Sequence, residues 1–363
     1  MNLININNSI VFVRVCYDLP NLESSDRILD SKATIRQLLN QGNQVILLSH
    51  WGRPDGKKIS ELSLEKLLES VQSNFSEPVE FINQYDYFEK NISLQDIMKI
   101  TRTKLFLFEN TRFSPYETSK NLLNRDSLAQ KYREIAQYFV DEAFPVSHRQ
   151  EVTNYELKKH LPYAYGLSFM NELQKLEIIR TNPSKPFAII MAGSKLETKL
   201  PLIAKMCEKG DKVLLGGELC FTFLKAVNSP LQIYDSLIEE AFISKAKELL
   251  SKYPTKIILP VDFIYGNIDN KKLALDLGPK TLRLFELELE KANSIFWNGP
   301  LGYYLDKKYA LGTLEIGKYI SDLSQAYKVL GGGDSVAVLP QETLEKFDFV
   351  SMGGGATLEY LSN

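Results

Sequence analysis

Cationic side chains follow several short apolar runs in the first half of the chain. Arg112 comes after Lys104 to Phe108, which predicts a buried strand, so Arg112 is expected at the carboxyl edge of a sheet, where open α/β folds place ligands. A lone arginine there is usually a surface group, but several converging ones suit a phosphate or carboxylate, which accepts paired hydrogen bonds. The other cationic positions of this kind are Arg27, His50, Arg53 and Arg149.

Glycine-rich loops follow the apolar runs of the second half. A glycine run after a strand lets backbone N–H groups approach an oxyanion, and a following helix adds its positive N-terminal dipole. Lys195 and Lys199, four residues apart, are expected on one face at the start of a helix, a pattern that suits nucleotide phosphates. The spacing matches neither the Walker A motif nor GxGxxG. The loops are AGSK at 192–195, GGE at 216–218, WNGPLG at 297–302, GGGDS at 331–335 and GGGAT at 353–357.

Other kinds of site find little support in the residue inventory. The three cysteines and three histidines are scattered, without the paired short spacings of a disulfide scaffold or metal cage. We therefore expect buried, reduced thiols and no metal held by protein ligands alone. The sequence also offers no paired catalytic carboxylates and no Ser/His/Asp set.

The overall charge gives no reason to expect nucleic acid or an anionic membrane as a partner. The chain of 363 residues carries 43 basic and 45 acidic side chains, a formal net charge of -2. No apolar run is long enough to span a membrane, and the start MNLININNS lacks the basic-then-apolar order of a signal peptide. The sequence predicts a cytoplasmic protein.

The alternation of apolar and amphipathic segments and the length of the chain predict an α/β fold with parallel sheets in more than one domain. Short apolar runs alternate with longer amphipathic stretches, as in right-handed crossover units. The chain is also longer than a segment that usually folds around a single hydrophobic core. The domain junction is expected at 166–182, before the helix-breaking Pro183-Ser184-Lys185-Pro186. The predicted strands are 10–15, 45–48, 104–108, 187–191, 213–215, 257–259 and 294–297, and the predicted helices include 31–40, 236–251 and 279–291.

The order of motifs resembles the phosphoglycerate kinase family over nearly the whole chain. The resemblance implies two Rossmann-like three-layer domains hinged across a central cleft. Residues 1–165 would bind the acceptor, 166–182 would form an interdomain helix, 183–345 would bind nucleotide, and 346–363 would return toward the hinge. The motifs are VFVRVCYDLP, VILLSHWGRPDG, LFLFENTRF, VDEAFPVSHR, KPFAIIMAGSKLETK, LLGGELCFTFLKA, LPVDF, ALDLGPKT, WNGPLGYY, VLGGGDS and SMGGGATLEYL.

The resemblance also implies an activity and the residues that serve it. The activity is reversible phosphoryl transfer, with MgATP or MgADP, between ATP and the carboxylate of 3-phosphoglycerate to give 1,3-bisphosphoglycerate, a glycolytic step carried out by a hinge-closing monomer. Arg27, Lys199, Gly354 and Gly355 would be catalytic, with Gly353 beside them, and Asp334 would support Mg2+. The acceptor would contact Cys16, Asp18, His50, Arg53, Arg112 and Arg149. The nucleotide would contact Gly193, Ser194, Lys195, Lys199, Gly216, Gly217, Asn298, Pro300, Gly331, Gly332, Gly333, Asp334 and Ser335.

Departures from the family pattern keep three hypotheses open. Cys16 and Asp18 stand where the family has Asp and Asn near the glycerate, and Leu305 replaces a glutamate expected at the nucleotide ribose. Glu142 and Pro145 also depart from the pattern, and the sequence ends without the family's C-terminal tail, so weaker interdomain coupling is expected. The hypotheses are a phosphoglycerate kinase, an ATP-dependent acyl-phosphate-forming kinase for another anionic acid, and a nucleotide-binding homologue with little turnover.

Overall fold

The chain forms two compact units, residues Met1–Gln174 and Lys175–Asn363. The computed structural model describes residues 3–19, 26–90, 93–96, 101–194, 196–234 and 237–363. Each unit is built on its own six-stranded sheet, in which all strand pairs are parallel. The predicted α/β class with parallel sheets is therefore confirmed.

The first unit places its strands in the order β3-β4-β2-β1-β5-β6. Thr111–Phe113 and Phe144–Val146 are short 3-10 turns, and Val152–Glu156 is a π-helical turn. The strands are β1 Ile10–Arg14, β2 Gln44–Leu48, β3 Val79–Ile82, β4 Leu105–Phe108, β5 Tyr138–Asp141 and β6 Tyr163–Tyr165. The helices are α1 Asp26–Asn40, α2 Leu68–Gln72, α3 Gln84–Lys90, α4 Leu122–Arg133, α5 Leu157–His160 and α6 Leu167–Thr181, which continues into the second unit.

The central strands of this sheet are covered on both faces. Val11 and Val13 of β1 belong to one buried cluster, and Ile10 and Phe12 belong to another on the opposite face. Burial on both faces explains why the sequence of β1 is continuously apolar instead of alternating. The same two-sided core holds the carboxyl ends of the strands, and thus the loops after them, in fixed positions.

The second unit places its strands in the order β14-β13-β12-β7-β8-β9, with β10 and β11 as a separate antiparallel pair. The strands are β7 Phe187–Met191, β8 Lys212–Leu215, β9 Ile257–Ile258, β10 Phe263–Ile268, β11 Lys271–Leu277, β12 Ser294–Asn298, β13 Tyr327–Gly331 and β14 Phe349–Ser351. The helices are α7 Leu196–Lys209, α8 Leu219–Ala226, α9 Ile243–Lys252, α10 Pro279–Leu289, α11 Leu311–Asp322, α12 Gly333–Val338, α13 Gln341–Leu344 and α14 Gly355–Ser362.

The antiparallel hairpin of β10 and β11 is an addition that the sequence analysis did not predict. Its strands join through Asp269 and Asn270, both with positive φ, the backbone conformation that a tight hairpin turn needs. The Asp-Asn pair between two apolar runs was the available signal. The hairpin carries one wall of the cavity described below.

The helix predicted over 236–251 is shorter than expected. A 3-10 turn at Glu240–Phe242 precedes α9, which begins at Ile243, while Ser236 lies outside the described residues. Glu239 is not helical, and its carboxylate accepts the backbone N–H groups of Leu196 and Glu197. A long-range contact that the local pattern cannot reveal thus displaces the start of the helix.

Among the described residues, none of the helices combines the length and the apolar character that crossing a membrane requires.

Candidate active site

The cationic residues predicted in the first unit, other than Arg27, lie on loops after neighbouring strands. Strands β1, β2, β4 and β5 end at Arg14, Leu48, Phe108 and Asp141, and because these strands are parallel, their following loops share one edge of the sheet. The loops carry Cys16 and Asp18, His50 and Arg53, Arg112, and Arg149.

A ring of polar contacts, completed by Glu151, joins three of these loops. Arg112 Nη1 donates to Gly52 O at 3.0 Å, Gly52 N–H donates to Asp18 Oδ1 at 2.9 Å, and Asp18 Oδ2 lies 3.5 Å from His50 Nε2. His50 Nδ1 lies 2.9 Å from Arg14 Nη2. The structure thus brings together Asp18, His50 and Arg112 as the sequence analysis expects, and adds the fully buried Arg14, whose role was not predicted.

Glu151 closes this ring and was also missed by the sequence analysis. Its Oε1 accepts from Arg112 Nη2 at 2.5 Å, and its Oε2 lies 3.6 Å from Arg14 Nη2. Arg149 Nη1 is 3.8 Å from the same Oε1. Burial opposes ionisation of Glu151, but the charges of Arg14 and Arg112 outweigh it and hold the pKa below its ordinary value. Three arginines, Arg14, Arg112 and Arg149, therefore face one buried carboxylate and form an arginine cluster.

His50 is neutral at neutral pH in this environment. Burial, reinforced by the charges of Arg14 and Arg112, lowers the pKa of His50 to about 4, although Asp18 acts in the other direction. Neutral imidazole can accept the Arg14 hydrogen bond at Nδ1 only if the proton is on Nε2, the atom that faces Asp18. The expected basic role of His50 is thus a polar contact instead of a full positive charge.

Asp18 carries a negative charge at this edge. Burial favours its neutral form, but the contact with His50, the Gly52 N–H and the charge of Arg27 together hold the pKa of Asp18 well below its ordinary value. Its side chain remains 39% exposed. Any anion bound beside it must therefore be attracted by the arginines strongly enough to offset Asp18.

The remaining predicted acceptor residues differ in exposure. Arg27, on α1, donates to Asp18 O at 2.6 Å and lies 3.5 Å from Cys16 Sγ. Arg53 is exposed and Arg149 is partly exposed, so both guanidinium groups can reach a ligand from solvent. Cys16, Cys207 and Cys220 are free and buried, in agreement with the expectation of reduced thiols.

Glu142, a departure from the family pattern, caps the N-terminus of α6. Its carboxylate accepts from Thr34 Oγ1 at 2.7 Å, Ser168 N at 3.0 Å and Phe169 N at 3.3 Å. Burial raises the pKa of Glu142 to about 7, against these hydrogen bonds. A side chain on Gly166 would place its Cβ 1.8 Å from Glu142 Oε2, so any other residue there would displace this carboxylate. Glu142 is therefore a helix cap that lies away from the contacts of the arginine cluster.

The glycine loops of the second unit also follow parallel strands at one sheet edge. Gly193, Gly217, Gly299, Gly332 and Gly354 all have positive φ. These backbone conformations favour glycine. The predicted glycines after β7, β8, β12, β13 and β14 are thereby placed as expected along the sheet.

Two of these loops are packed too tightly for any side chain. A Cβ on Gly217 would lie 2.5 Å from Gly193 N, and a Cβ on Gly299 would lie 2.1 Å from Ala192 O. The loop after β7 is thus held between the loops after β8 and β12.

A cavity of about 410 Å³ opens beside these loops. This volume lies within the range of small-molecule sites. Of the predicted nucleotide residues, Gly193, Ser194, Gly217, Pro300 and Asp334 line the cavity. Its apolar wall was missed by the sequence analysis, because it combines the hairpin with residues distant in sequence. That wall includes Phe221, Leu237, Phe263, Leu273 and Leu275.

Lys199 lies beside the cavity with an altered proton affinity. Its Nζ donates to Ala192 O and would lie 2.8 Å from a Cβ on Gly193. Burial lowers the pKa of Lys199 to about 8, an effect that the negative charge of Asp334 partly offsets. Any phosphate bound nearby would favour the charged form of Lys199.

Asp334 is the one predicted metal-supporting residue. Burial and the neighbouring Asp334 carboxylate raise the pKa of the Tyr304 hydroxyl, which contacts it. Among the described residues, no group of three or more acidic, His or Cys side chains could hold a metal ion. Mg2+ is commonly held by one or two carboxylates together with substrate phosphates, so the Asp334 carboxylate fits Mg2+ only as part of a nucleotide complex.

The other predicted nucleotide residues that the structure describes are not among those that line the cavity. Asn298 and Ser335 are buried, and Gly332 lies near the Asn298 amide. Gly216 donates its N–H to Met191 O, and Gly331 is the last residue of β13. Gly333 and Gly355 begin helices α12 and α14, with open space around Gly333 and Gly354. Lys195 lies outside the described residues, and Leu305 is 72% exposed at the cavity.

The sequence and fold are similar to those of phosphoglycerate kinases. The family model described as phosphoglycerate kinase matches residues 1–363. A phosphoglycerate kinase from Finegoldia magna is 32% identical, and the match covers 99% of this chain and 94% of that protein. One from Macrococcus caseolyticus is also 32% identical, and the match covers 97% of this chain and 93% of that protein. The solved structure of phosphoglycerate kinase from Coxiella burnetii has a TM-score of 0.82 and 28% identity, covering 99% of this chain and 94% of that one.

Proposed function

The chain belongs to the phosphoglycerate kinase family, and we propose that it catalyses reversible phosphoryl transfer between ATP and the carboxylate of 3-phosphoglycerate. It is thus a phosphotransferase with a carboxyl group as acceptor. The observation that carries the assignment of substrates is the convergence of Arg112, Arg149 and His50 at one sheet edge.

The acceptor is proposed to bind in the first unit. Arg112 and Arg149 would hold its phosphate, with the exposed Arg53 adding a third guanidinium group from solvent. Planar guanidinium groups suit a phosphate because they offer two parallel donors. Arg27, next to Cys16 and Asp18, would face the end of the acceptor that receives the phosphoryl group.

The nucleotide is proposed to bind in the second unit. The apolar wall of Phe221, Phe263 and Leu275 suits a flat base, and the glycine loops beside it supply N–H donors for phosphates. Lys199 would pair with a phosphate oxygen, and Asp334 would hold Mg2+ together with the nucleotide. The bound Mg2+ would supply neutralisation of negative charge on the phosphates. Gly354 and Gly355 would offer donors at the start of α14.

The residues match the demands of this reaction. A carboxylate is already ionised at neutral pH, so it attacks a phosphoryl group without a general base. Catalysis then depends on positive charge, amide donors and in-line positioning around the phosphoryl oxygens. Arginines, Lys199 and glycine amides provide these, whereas His50, with its lowered pKa, would stay neutral and orient Arg14 and Asp18.

A hydroxylamine-trapping assay tests the proposal. The full chain is incubated with MgATP and 3-phosphoglycerate, beside a panel of other anionic carboxylic acids, and the trapped acyl phosphate is measured. Product from 3-phosphoglycerate at a turnover of about 1–100 per second supports the proposal. No product from it, under conditions where another acid reacts, would contradict it.

A second candidate keeps the chemistry and changes the acceptor. It is favoured by the ionised, partly exposed Asp18, which sits beside Cys16 in the expected glycerate region. The double change of Cys16→Asp with Asp18→Asn would then raise activity on 3-phosphoglycerate. High activity of the unmodified protein on 3-phosphoglycerate, with no gain in the double variant, would rule out this candidate.

A further inference from the structure

The arginine cluster contains its own anion. Glu151 is only 4% exposed, and its two carboxylate oxygens are directed at Arg112, Arg14 and Arg149, at 2.5, 3.6 and 3.8 Å. A buried carboxylate in such a position interacts more strongly with its neighbours than a surface one, because little water screens it.

Glu151 also uses part of the binding capacity of Arg112. A guanidinium group has five N–H donors in a fixed plane. The structure commits Nη1 of Arg112 to Gly52 O and Nη2 to Glu151 Oε1. An incoming phosphate must therefore share Arg112 with the carboxylate, and it approaches within reach of the negative charge on that carboxylate.

Other groups near Glu151 do not cancel its charge further. His50 is neutral at neutral pH because burial lowers its pKa to about 4. Glu117, buried beside the cluster, has a pKa raised to about 7 by its burial and by the charge of Glu151. Glu117 is held by Thr153, whose N–H and Oγ1 both donate to its Oε1.

We propose that Glu151 is a positioning residue that holds Arg112 in place and lowers the affinity of the acceptor site for phosphate groups. It positions the arginine while competing with the ligand for it, so the acceptor stays exchangeable. The inference rests on the proposed function only for the identity of the acceptor, since the arginine cluster can be probed with inorganic phosphate alone.

The test compares phosphate binding by the full chain and by Glu151→Gln. Glutamine keeps an oxygen for Arg112 and removes the charge, so the dissociation constant for inorganic phosphate, measured by calorimetry at low salt, should fall about five- to twentyfold. Glu151→Asp, which keeps the charge, should stay within about threefold of the unmodified protein by the same argument. With 3-phosphoglycerate, KM should fall without a rise in kcat.

A matched control separates this local effect from a general change of charge. Glu156 is buried like Glu151 and pairs with Arg125 at 2.8 Å, away from the arginine cluster. Glu156→Gln makes the same change in net charge and should leave phosphate affinity unchanged. If Glu151→Gln fails to fold by circular dichroism, Glu151→Asn removes the same charge and takes its place.

Several results would overturn the inference. These are weaker or unchanged phosphate binding in Glu151→Gln, an equal gain in Glu156→Gln, or no measurable phosphate binding in any of the proteins. Tighter phosphate binding in Glu151→Gln, together with no turnover of 3-phosphoglycerate by the unmodified protein, would instead uphold the inference while contradicting the proposed function.

Discussion

At the scale of single residues, buried charges that compensate one another define the acceptor region. Arg14 is completely buried and contacts His50 and Glu151, so removing either partner leaves an arginine charge with less compensation. The cluster persists only while Glu151 is ionised and His50 is neutral. Its stability should therefore depend on pH in a way that can be assigned to individual residues.

His50 gives the clearest pH dependence. Its pKa is about 4 in the folded chain, against 6.5 for an unperturbed histidine, so the unfolded state binds more protons between these values, and stability falls as the pH falls from about 6.5 to about 4. The free energy of unfolding should fall by about 3 kcal/mol over this pH range. Asparagine at this position can accept from Arg14 without titrating, so His50→Asn should lack this component.

Urea denaturation of both proteins at several pH values measures the difference. Glu117 and Glu142 have pKa values raised to about 7, and they lose their stabilising effect as pH rises, so they oppose His50 in part of the same window. Because both proteins retain these glutamates, subtraction removes their contribution. Parallel pH profiles for the two proteins would show that folding does not lower the pKa of His50.

The sequence predicts part of this residue-scale picture. Arg112 and His50 could be predicted because each follows an apolar run that had to be a buried parallel strand. Asp18 could be predicted only from the resemblance of its motif to that of the family. Arg14 reads as the last residue of a strand, and Glu151 as an ordinary charge in a loop. Their roles depend on which loops the fold brings together, and a single sequence does not encode that in any local pattern.

At the scale of elements, the ends of helices are held by acidic side chains from distant segments. Glu142 accepts from N–H groups at the start of α6, and Glu239 accepts from those of Leu196 and Glu197 at the start of α7. Such carboxylates satisfy donors that have no partner within the helix and interact favourably with its dipole. The positions of α6 and α7 therefore depend on contacts far apart in sequence.

Gly166→Ala tests the cap on α6. The added Cβ would lie 1.8 Å from Glu142 Oε2, so the carboxylate must leave the helix N-terminus. We expect a loss of about 2–4 kcal/mol in the free energy of unfolding, from the lost hydrogen bonds and the displaced buried carboxyl. Gly333→Ala is the matched control, because nothing lies within 4 Å of its added Cβ. Equal stability of the two variants by chemical denaturation would refute this account of the cap.

The elements themselves were mostly readable from the sequence. Strands such as Phe187–Met191 are continuous apolar runs, as expected for a parallel sheet covered on both faces. The hairpin of β10 and β11 was missed because its pattern is mixed: β10 has no buried residue, and only the last three residues of β11 are buried. The start of α9 was misjudged because Glu239 is engaged elsewhere.

At the scale of the whole molecule, we assign different ligands to two compact units. The arginine cluster lies entirely in the first unit, and the glycine loops and their cavity lie entirely in the second. The division of labour itself is a proposal that follows from the family resemblance. It predicts that changes in one unit affect only the binding of its own ligand.

Paired variants test this division by calorimetry with 3-phosphoglycerate and MgADP. Arg112→Lys keeps the charge but loses the planar fork, so acceptor binding should weaken about tenfold with nucleotide binding unchanged. Lys199→Met should weaken nucleotide binding about 10- to 100-fold and spare the acceptor. Arg125→Lys and Lys205→Met are the matched controls, the latter on the same helix as Lys199. Equal effects of either site variant on both ligands would refute the separation.

The central claim is that this chain moves a phosphoryl group between ATP and 3-phosphoglycerate. The most direct measurement is phosphorus NMR of the full chain with MgATP and 3-phosphoglycerate, beside Lys199→Met as the impaired comparison. We expect saturation transfer between the ATP γ-phosphate and a new acyl-phosphate resonance, strongly reduced in Lys199→Met. No exchange in the unmodified protein, with both substrates shown to bind, would contradict the claim.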